Sequence, residues 1–414
     1  MAYKKYFLYK KQYSVDGGVT WLDVEPTVKV PSGQSIGTYD TYADCEEGLP
    51  TSYNRYVYER ANGETGVSEC DSDGVLDWYE LRQIDENYDT IVKMTIGECI
   101  DTIDDRGLGY LKVLNTVDMS NSSVVSIGKY GLSPYWGSTY QTALTGVTLS
   151  PMLETIGEGA FRYCKAIRTL DFPSTVTSID KYAFADCIAL YDIRSLSGTQ
   201  ITKIESYTFS GDTSLVRISL PSTCRQIDFA AFRECSALRT FDFKNVTTLG
   251  GQAFLACSSL SSVTITNGTN TIPSQCFMHC SGMTSLSLPN SIVTIDDSAF
   301  YNCSSLTGHI TLPSSLVTIG SQAFWNTNFT SVTIPSNVAT IGAHAFAYVH
   351  MDYAECLATI PPTLAATNVF GSPDSYEYTY PIYVPDEAYE EYCLSTNWKA
   401  YADGGRLKPL SQKP

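Results

Sequence analysis

The chain has 414 residues, of which 43% are hydrophobic, 12% aromatic and only 17% charged, a balance that excludes an intrinsically disordered chain. Its formal net charge is −17, and the first 110 residues hold 21 acidic against 10 basic side chains, a field that repels phosphate backbones and excludes nucleic acid as the expected partner. No stretch approaches the roughly 20 apolar residues needed to cross a bilayer, so no membrane insertion is expected.

The amino terminus, MAYKKYFLYKKQY, opens with basic residues, but its apolar run is too short and too interrupted for the h-region of a signal peptide. No export or anchoring signal is visible, which points towards a virion, with an extracellular cell surface as the other location left open. Residues 1–87 lack the repeat that fills the rest of the chain and are expected to form a small β-rich module. Within YSVDGGVTW, Asp16-Gly17-Gly18 reads as a hairpin turn, because glycine tolerates positive φ between alternating strand residues. Ser14, Asp16, Gly18 and Trp21 also fit the S-x-D-x-G-x-x-W shape of an Asp-box. That motif resembles turns repeated on sialidase-type propellers; a single copy points to a structural hairpin, not to catalysis. Together with TYDTYADCEEGLP, the hairpin resembles leader modules of gut Bacteroidales proteins and of the tail proteins of their phages. Further on, Asp71, Asp73 and Asp77 could supply oxygen ligands, but Gly74 comes too early for an EF-hand loop, so a plain acidic loop is expected.

From about residue 88 a repeat dominates the chain. An Ala-Phe-x-x-Cys anchor appears as AFRYC at Phe161, AFADC at Phe184, AFREC at Phe232, AFLAC at Phe254, CFMHC at Phe277 and AFYNC at Phe300, with weaker copies at Phe209, Phe324 and Phe346. The nine Phe positions are 23, 25, 23, 22, 23, 23, 24 and 22 residues apart. Ahead of most anchors runs an apolar alternation closed by Pro, such as Leu215, Ile218, Leu220 and Pro221. Alternation is the period of a strand with one face buried, and Pro ends it for want of an N–H. A second apolar pair, such as Ile292 and Ile295, then leads into the next anchor. No single unit can bury its apolar face, so neighbours must stack. Weaker copies at Leu114 to Ile127, Leu144 to Ile156 and Ile91 to Ile103 bring the expected number of coils to about eleven.

The pattern L-x-x-I-x-L-P-S-S-x-x-x-I-G-x-x-A-F-x-x-C, seen almost unbroken in LTGHITLPSSLVTIGSQAFWN, resembles the BspA-like leucine-rich repeats. The resemblance implies a β-rich solenoid, a right-handed leucine-rich-repeat superhelix with a parallel sheet, over residues 88–348. A degenerate last repeat and carboxy-terminal cap are expected over 349–414, with Ile382, Val384, Tyr389, Trp398 and Tyr401 covering the open edge.

Chemistry finds little foothold. No G-x-S-x-G elbow, P-loop, dinucleotide glycine motif or metalloprotease helix occurs, so no catalytic residues are assigned and the protein is not expected to be an enzyme. Cys164, Cys187, Cys235, Cys257, Cys280 and Cys303 share one repeat slot and are expected to be buried thiols. Cys276 and His279 join Cys280 in sequence, yet both cysteines fall in inward slots, and no metal or cofactor is expected. Stacking instead aligns outward rows on the first strands. One runs Asp171, Arg194, Ser219, Asp242, Thr264, Ser287, Thr311, Thr333; its neighbour runs Thr169, Asp192, Arg217, Thr240, Ser262, Ser285, Ser331. Asp171, Asp192, Arg194, Arg217 and Asp242 are the candidate ligand-binding patch. His309 sits in an extra-residue bulge of TGHITL, and Asp212 replaces the repeat Cys. The resemblance implies adhesion to a cell-surface protein or polysaccharide, from a phage tail or from the surface of a gut bacterium or protist, with a homo-oligomer allowed. A structural spacer is the alternative from another class.

Overall fold

The computed structural model describes residues 55–69, 74–77, 81, 90–98, 100–134, 144–266, 268–371 and 380–414, with four short strands nearer the amino terminus. Those four make two antiparallel pairs, Tyr3–Lys4 with Val30–Pro31 and Gln12–Ser14 with Trp21–Asp23. The second pair flanks Asp16-Gly17-Gly18; that turn, the TYDTYADCEEGLP segment and Asp71 and Asp73 lie outside the described residues.

From residue 74 onward the chain winds as a β-solenoid with two parallel ladders and a compact corner. The second ladder is the more regular. Its strands are two-residue pairs such as Thr271–Ile272, Thr294–Ile295 and Thr318–Ile319, each in register with the next. The side-chain period of two puts the first residue, polar in every pair but Val75–Leu76, on the outside and the apolar second residue in the core. Among the described residues thirteen of these coils are seen, against the eleven expected from sequence. The additional two, at Val75–Leu76 and Thr363–Leu364, bury their second residue like the others but carry no Ala-Phe-x-x-Cys anchor of their own.

The corner explains the anchor. Residues two before and two after each Phe adopt left-handed backbone, as Gln252 (φ 57°) and Ala256 (φ 60°) do around Phe254. That conformation costs a non-glycine residue about 1 kcal/mol or more. The gain is geometric: the N–H groups of Gln252, Phe254 and Ala256 all point along the stack and donate to the carbonyls of Ser274, Cys276 and Met278 at 3.0, 2.9 and 2.7 Å. The rings themselves form a column from Phe161 through Phe346, and Phe370 continues it at 5.4 Å, a tenth member that sequence spacing missed. In the Cys slot, the thiols of Cys187, Cys235, Cys257, Cys280 and Cys303 donate to the carbonyl of the Phe one coil back at 3.1–3.2 Å.

Both ends are covered. At the amino end the hairpin strands Arg55–Arg60 and Thr65–Glu69 pair antiparallel, and Arg55–Arg60 pairs antiparallel with Ile91–Ile96, the first strand of the first ladder. At the carboxy end, strands Ile382–Val384 and Leu407–Pro409 extend that ladder, and helices α1 (Tyr389–Leu394) and α2 (Trp398–Asp403) close the core. Ile382, Val384, Trp398 and Tyr401 are buried as expected, Tyr389 is half-buried, and Tyr392 is fully buried although sequence did not single it out. The indole N–H of Trp398 donates to the Pro362 carbonyl at 2.8 Å, which satisfies its one polar atom.

The first ladder is broken into four segments among the described residues. One interruption falls at 239–243, where Phe241 and Phe243 take inner positions held elsewhere by aliphatic side chains such as Val263 and Ile265. The two rings pack 4.7 Å apart, and each also packs on Phe254. Two phenyl rings in one coil occupy more volume than a leucine-sized pair, and the neighbouring strands do not close over them.

Candidate functional site

Backbone register brings Asp192 beside Arg217 on one side and beside Thr169 on the other, as the outward row requires. Arg194 departs from its row. The strand Asp192–Ile193 ends before it, and Arg194 opens a 3-10 turn, Arg194–Gly198. That turn is stitched to the previous coil by Ser195, whose hydroxyl donates to the Leu170 carbonyl at 3.0 Å and accepts the Phe172 N–H at 3.1 Å.

The result is a compact trio. Asp192 accepts the Arg194 backbone N–H and Nε–H, both at 3.0 Å, and lies 2.8 Å from Arg194 Nη2 and 3.8 Å from Arg217 Nη1. These bonds, the Arg194 side chain first, hold the Asp192 carboxyl below the usual carboxylate range. Arg217 also lies over the Tyr191 ring at 5.7 Å. The Asp192 side chain is only 15% exposed, whereas Arg194 and Arg217 are 60% and 51% exposed, so the patch offers a ligand guanidinium edges and withholds its carboxylate. Asp171 and Asp242 lie on the same face but are not joined to the trio by any hydrogen bond or ion pair among the described residues. Asp242 accepts the Lys244 N–H at 2.9 Å instead.

A second polar cluster lies further along the same ladder, and sequence reasoning did not assemble it. A register shift between Gly308 and His309 turns the imidazole across to the next strand. His309 Nδ1 is 2.7 Å from Ser331 Oγ, Thr333 Oγ1 is 3.4 Å from His309 Nε2, and Thr333 donates to Glu355 at 2.8 Å. Lys413, from the last turn of the chain, pairs with Glu355 and lies 4.3 Å over the Tyr353 ring. Burial alone would raise the Glu355 carboxyl, but the bonds from Lys413 and Thr333 hold it below the usual range. The bulge in TGHITL was the one available signal, since Glu355 and Lys413 are 58 residues apart.

The repeat cysteines carry no disulfides; every described cysteine is free, and all but Cys393 are buried. Burial pushes Cys303 up to about 12 and Cys356 up to about 11. A thiol-reactive probe should therefore label Cys393 in the native protein within minutes and the repeat cysteines only on unfolding, as peptide mapping would read out. Cys276, His279 and Cys280 do not converge: both thiols are in the core, and the His279 ring pairs with the Asn302 amide at 2.9 Å. Among the described residues no cluster of His, Cys, Asp or Glu has metal-holding geometry, and no helix is long and apolar enough to cross a membrane.

The same architecture is found in known proteins. Residues 137–254 and 225–352 match the family model for the BspA type leucine-rich repeat region, in six copies. Among solved structures, a leucine-rich repeat protein from Bacteroides ovatus superposes with a TM-score of 0.53 at 20% identity, covering 76% of this chain and 77% of that one. The pneumococcal vaccine antigen PcpA gives a TM-score of 0.47 at 19% identity, covering 78% of this chain and 80% of its own. No curated protein matches the sequence.

Proposed function

This chain belongs to the BspA-type leucine-rich-repeat family, and we propose that it is a non-enzymatic recognition protein whose parallel sheet meets a protein or carbohydrate ligand on a cell surface. The observation that carries the reading is the Asp192–Arg194–Arg217 trio: two half-exposed guanidinium groups held by one carboxylate, Arg217 on a ladder strand and Arg194 on the 3-10 turn that Ser195 ties to the previous coil. Arginines already held in place lose little entropy on binding and donate paired hydrogen bonds to carboxylate or other anionic groups. Fold alone does not specify a ligand, so this patch supports the reading and the solenoid by itself does not.

Adsorption of the labelled protein to a panel of intact gut bacteria, with and without competing capsular polysaccharide, tests the reading. Binding should be strain-selective and competable, and the double variant Arg194→Ala/Arg217→Ala should bind about tenfold less or weaker still, with an unchanged melting temperature. If no strain binds the protein, the spacer role takes precedence. The finer form of the proposal, display on the tail of a phage of gut bacteria, rests on the resemblance of the DGGVTW hairpin and TYDTYADCEEGLP to leader modules. A trimer in solution favours it over a bacterial adhesin, and a monomer favours the adhesin.

A further inference from the structure

One rung of the first ladder is left unzipped beside the arginine patch. Residues 239–243 form no strand, and the backbone N–H groups of Thr240, Phe241 and Asp242 have no hydrogen-bond partner among the described residues, nor do the carbonyls of Ser219 and Leu220. Ladder groups left unpaired in this way are costly unless water or a ligand satisfies them. Ile193 and Val263 of the inner row are buried, whereas Ile218, Leu220 and Phe241 are only half-buried, as Val147, Leu286 and Leu288 are elsewhere on the ladder. Between the two coils lies a pocket of about 80 Å³, whose apolar lining is Ile218, Leu220, Pro221, Phe241 and Val246, with the Cys224 thiol beside them. Since one water needs roughly 10–15 Å³ on this measure, the space holds several waters or one small organic group. Its rim is polar: Ser219, Asp242 and Asn245. Asp242 gives one carboxylate oxygen to the Lys244 N–H, which leaves the other for a ligand.

We propose that this gap is the anchoring pocket of the recognition face and that it takes the acetamido group of an N-acetylated amino sugar. The methyl of the group covers the apolar lining. Its amide N–H and carbonyl replace the missing rung, bonding to the Leu220 carbonyl and to the free N–H groups of Thr240 and Asp242, which alternate with that of Phe241 in facing the gap. The ring hydroxyls meet Asp242, Asn245 and Ser219. An extended peptide is the poorer fit, because it needs a run of free ladder edge and this gap is one rung long, ending at Pro221. The proposal rests on the recognition reading above and names the ligand class for that face.

Saturation-transfer NMR on the full chain tests it, with diacetylchitobiose, the same disaccharide without acetyl groups, and N-acetylalanine methylamide as probes. Transfer to the acetamido methyl is expected, with binding at least about tenfold weaker for the deacetylated sugar, because the amide-bonding groups are then left unsatisfied. Ser219→Phe, which fills the mouth from an outward position, should abolish the transfer without lowering the melting temperature, and Asp242→Asn should weaken it without added bulk. Equal binding of the two sugars, indifference to both variants, or binding of the peptide probe in place of the sugar would each overturn the assignment. The same sugar added to the adsorption assay separates the two readings. Adsorption that diacetylchitobiose does not compete removes the pocket assignment and leaves recognition standing; sugar binding without adsorption to any cell does the reverse.

Discussion

Phe254→Ala should lower the unfolding free energy by about 3 to 5 kcal/mol, the range for deleting a buried aromatic ring from a packed core. Phe254 is fully buried at the middle of the column. Its ring stacks on Phe232 at 5.3 Å and on Phe277 at 5.5 Å, and meets Phe241 and Phe243 at 4.8 and 5.2 Å. Four aromatic partners around one ring leave no flexible side chain to collapse into the void, so the cost should fall at the upper end of the range. Stability in a solenoid is a sum of coil and interface terms, so the loss is concentrated in the coils on either side. Urea denaturation followed by circular dichroism measures it, and hydrogen exchange should show protection falling first around residues 232–277. A variant as stable as the parent would mean that the anchor Phe does not point inward.

The second large effect concerns Asp212, which occupies the slot where six other coils carry Cys. It is fully buried; one oxygen accepts the Cys187 N–H at 2.8 Å and the other has no partner among the described residues. Burial pushes its pKa well above the ordinary 3.8, and the carboxylate of Asp186 adds to the rise; the other groups beside it are the thiols of Cys187 and Cys235. The folded protein therefore keeps a proton that the unfolded chain has released above its ordinary pKa. In that window the native state binds more protons than the unfolded state, so the contribution of this group is greatest in acid and falls as the pH rises towards the folded pKa. Asp186, half-buried and also raised, acts with the same sign. Asp192 and Glu355, both lowered, act with the opposite sign; the arginines beside Asp192 are more than half exposed and water screens them, whereas Lys413 beside Glu355 is 31% exposed. Asp212→Cys restores the residue of the repeat and should stabilise the protein by about 1–3 kcal/mol at neutral pH, the cost of a buried unsatisfied polar group. It should also flatten the pH dependence. Melting curves of the two proteins from acid to neutral pH that ran parallel would show that Asp212 is not the group responsible.

Much of the solenoid was legible because each coil repeats the same local problem. An inward Ile after an outward Thr, a Phe between two left-handed residues and a small thiol beside it recur wherever the same environment recurs, and a period near 23 residues exposes them all. The coil count fell short by two because Val75–Leu76 and Thr363–Leu364 lie beyond the Ala-Phe-x-x-Cys anchors; the first is marked by a buried Leu, and the second by a buried Leu and by Phe370 in a sequence that lacks the anchor's Ala and Cys. Tyr392 and Phe370 were missed for a similar reason: each is inward through its fit to the cap or the column, not through a motif.

The candidate patch was legible only as rows. Alignment of the coils placed Asp192 next to Arg217, and strand register agrees, but the row assumed that Arg194 continues a strand. Ser195 bonds to the previous coil instead, and the turn it creates folds Arg194 back onto Asp192. Likewise, the gap beside Asp242 depends on the summed volume of Phe241 and Phe243 against their neighbours, and the His309–Glu355–Lys413 cluster on where the last turn comes to rest. Sequence by itself determined the coil: its period, its inward residues and its need for caps, because those arise from alternation and burial within about 23 residues. Tertiary structure alone decided what stands beside what across coils, because register, bulges and side-chain volume act between segments that the chain does not hold adjacent.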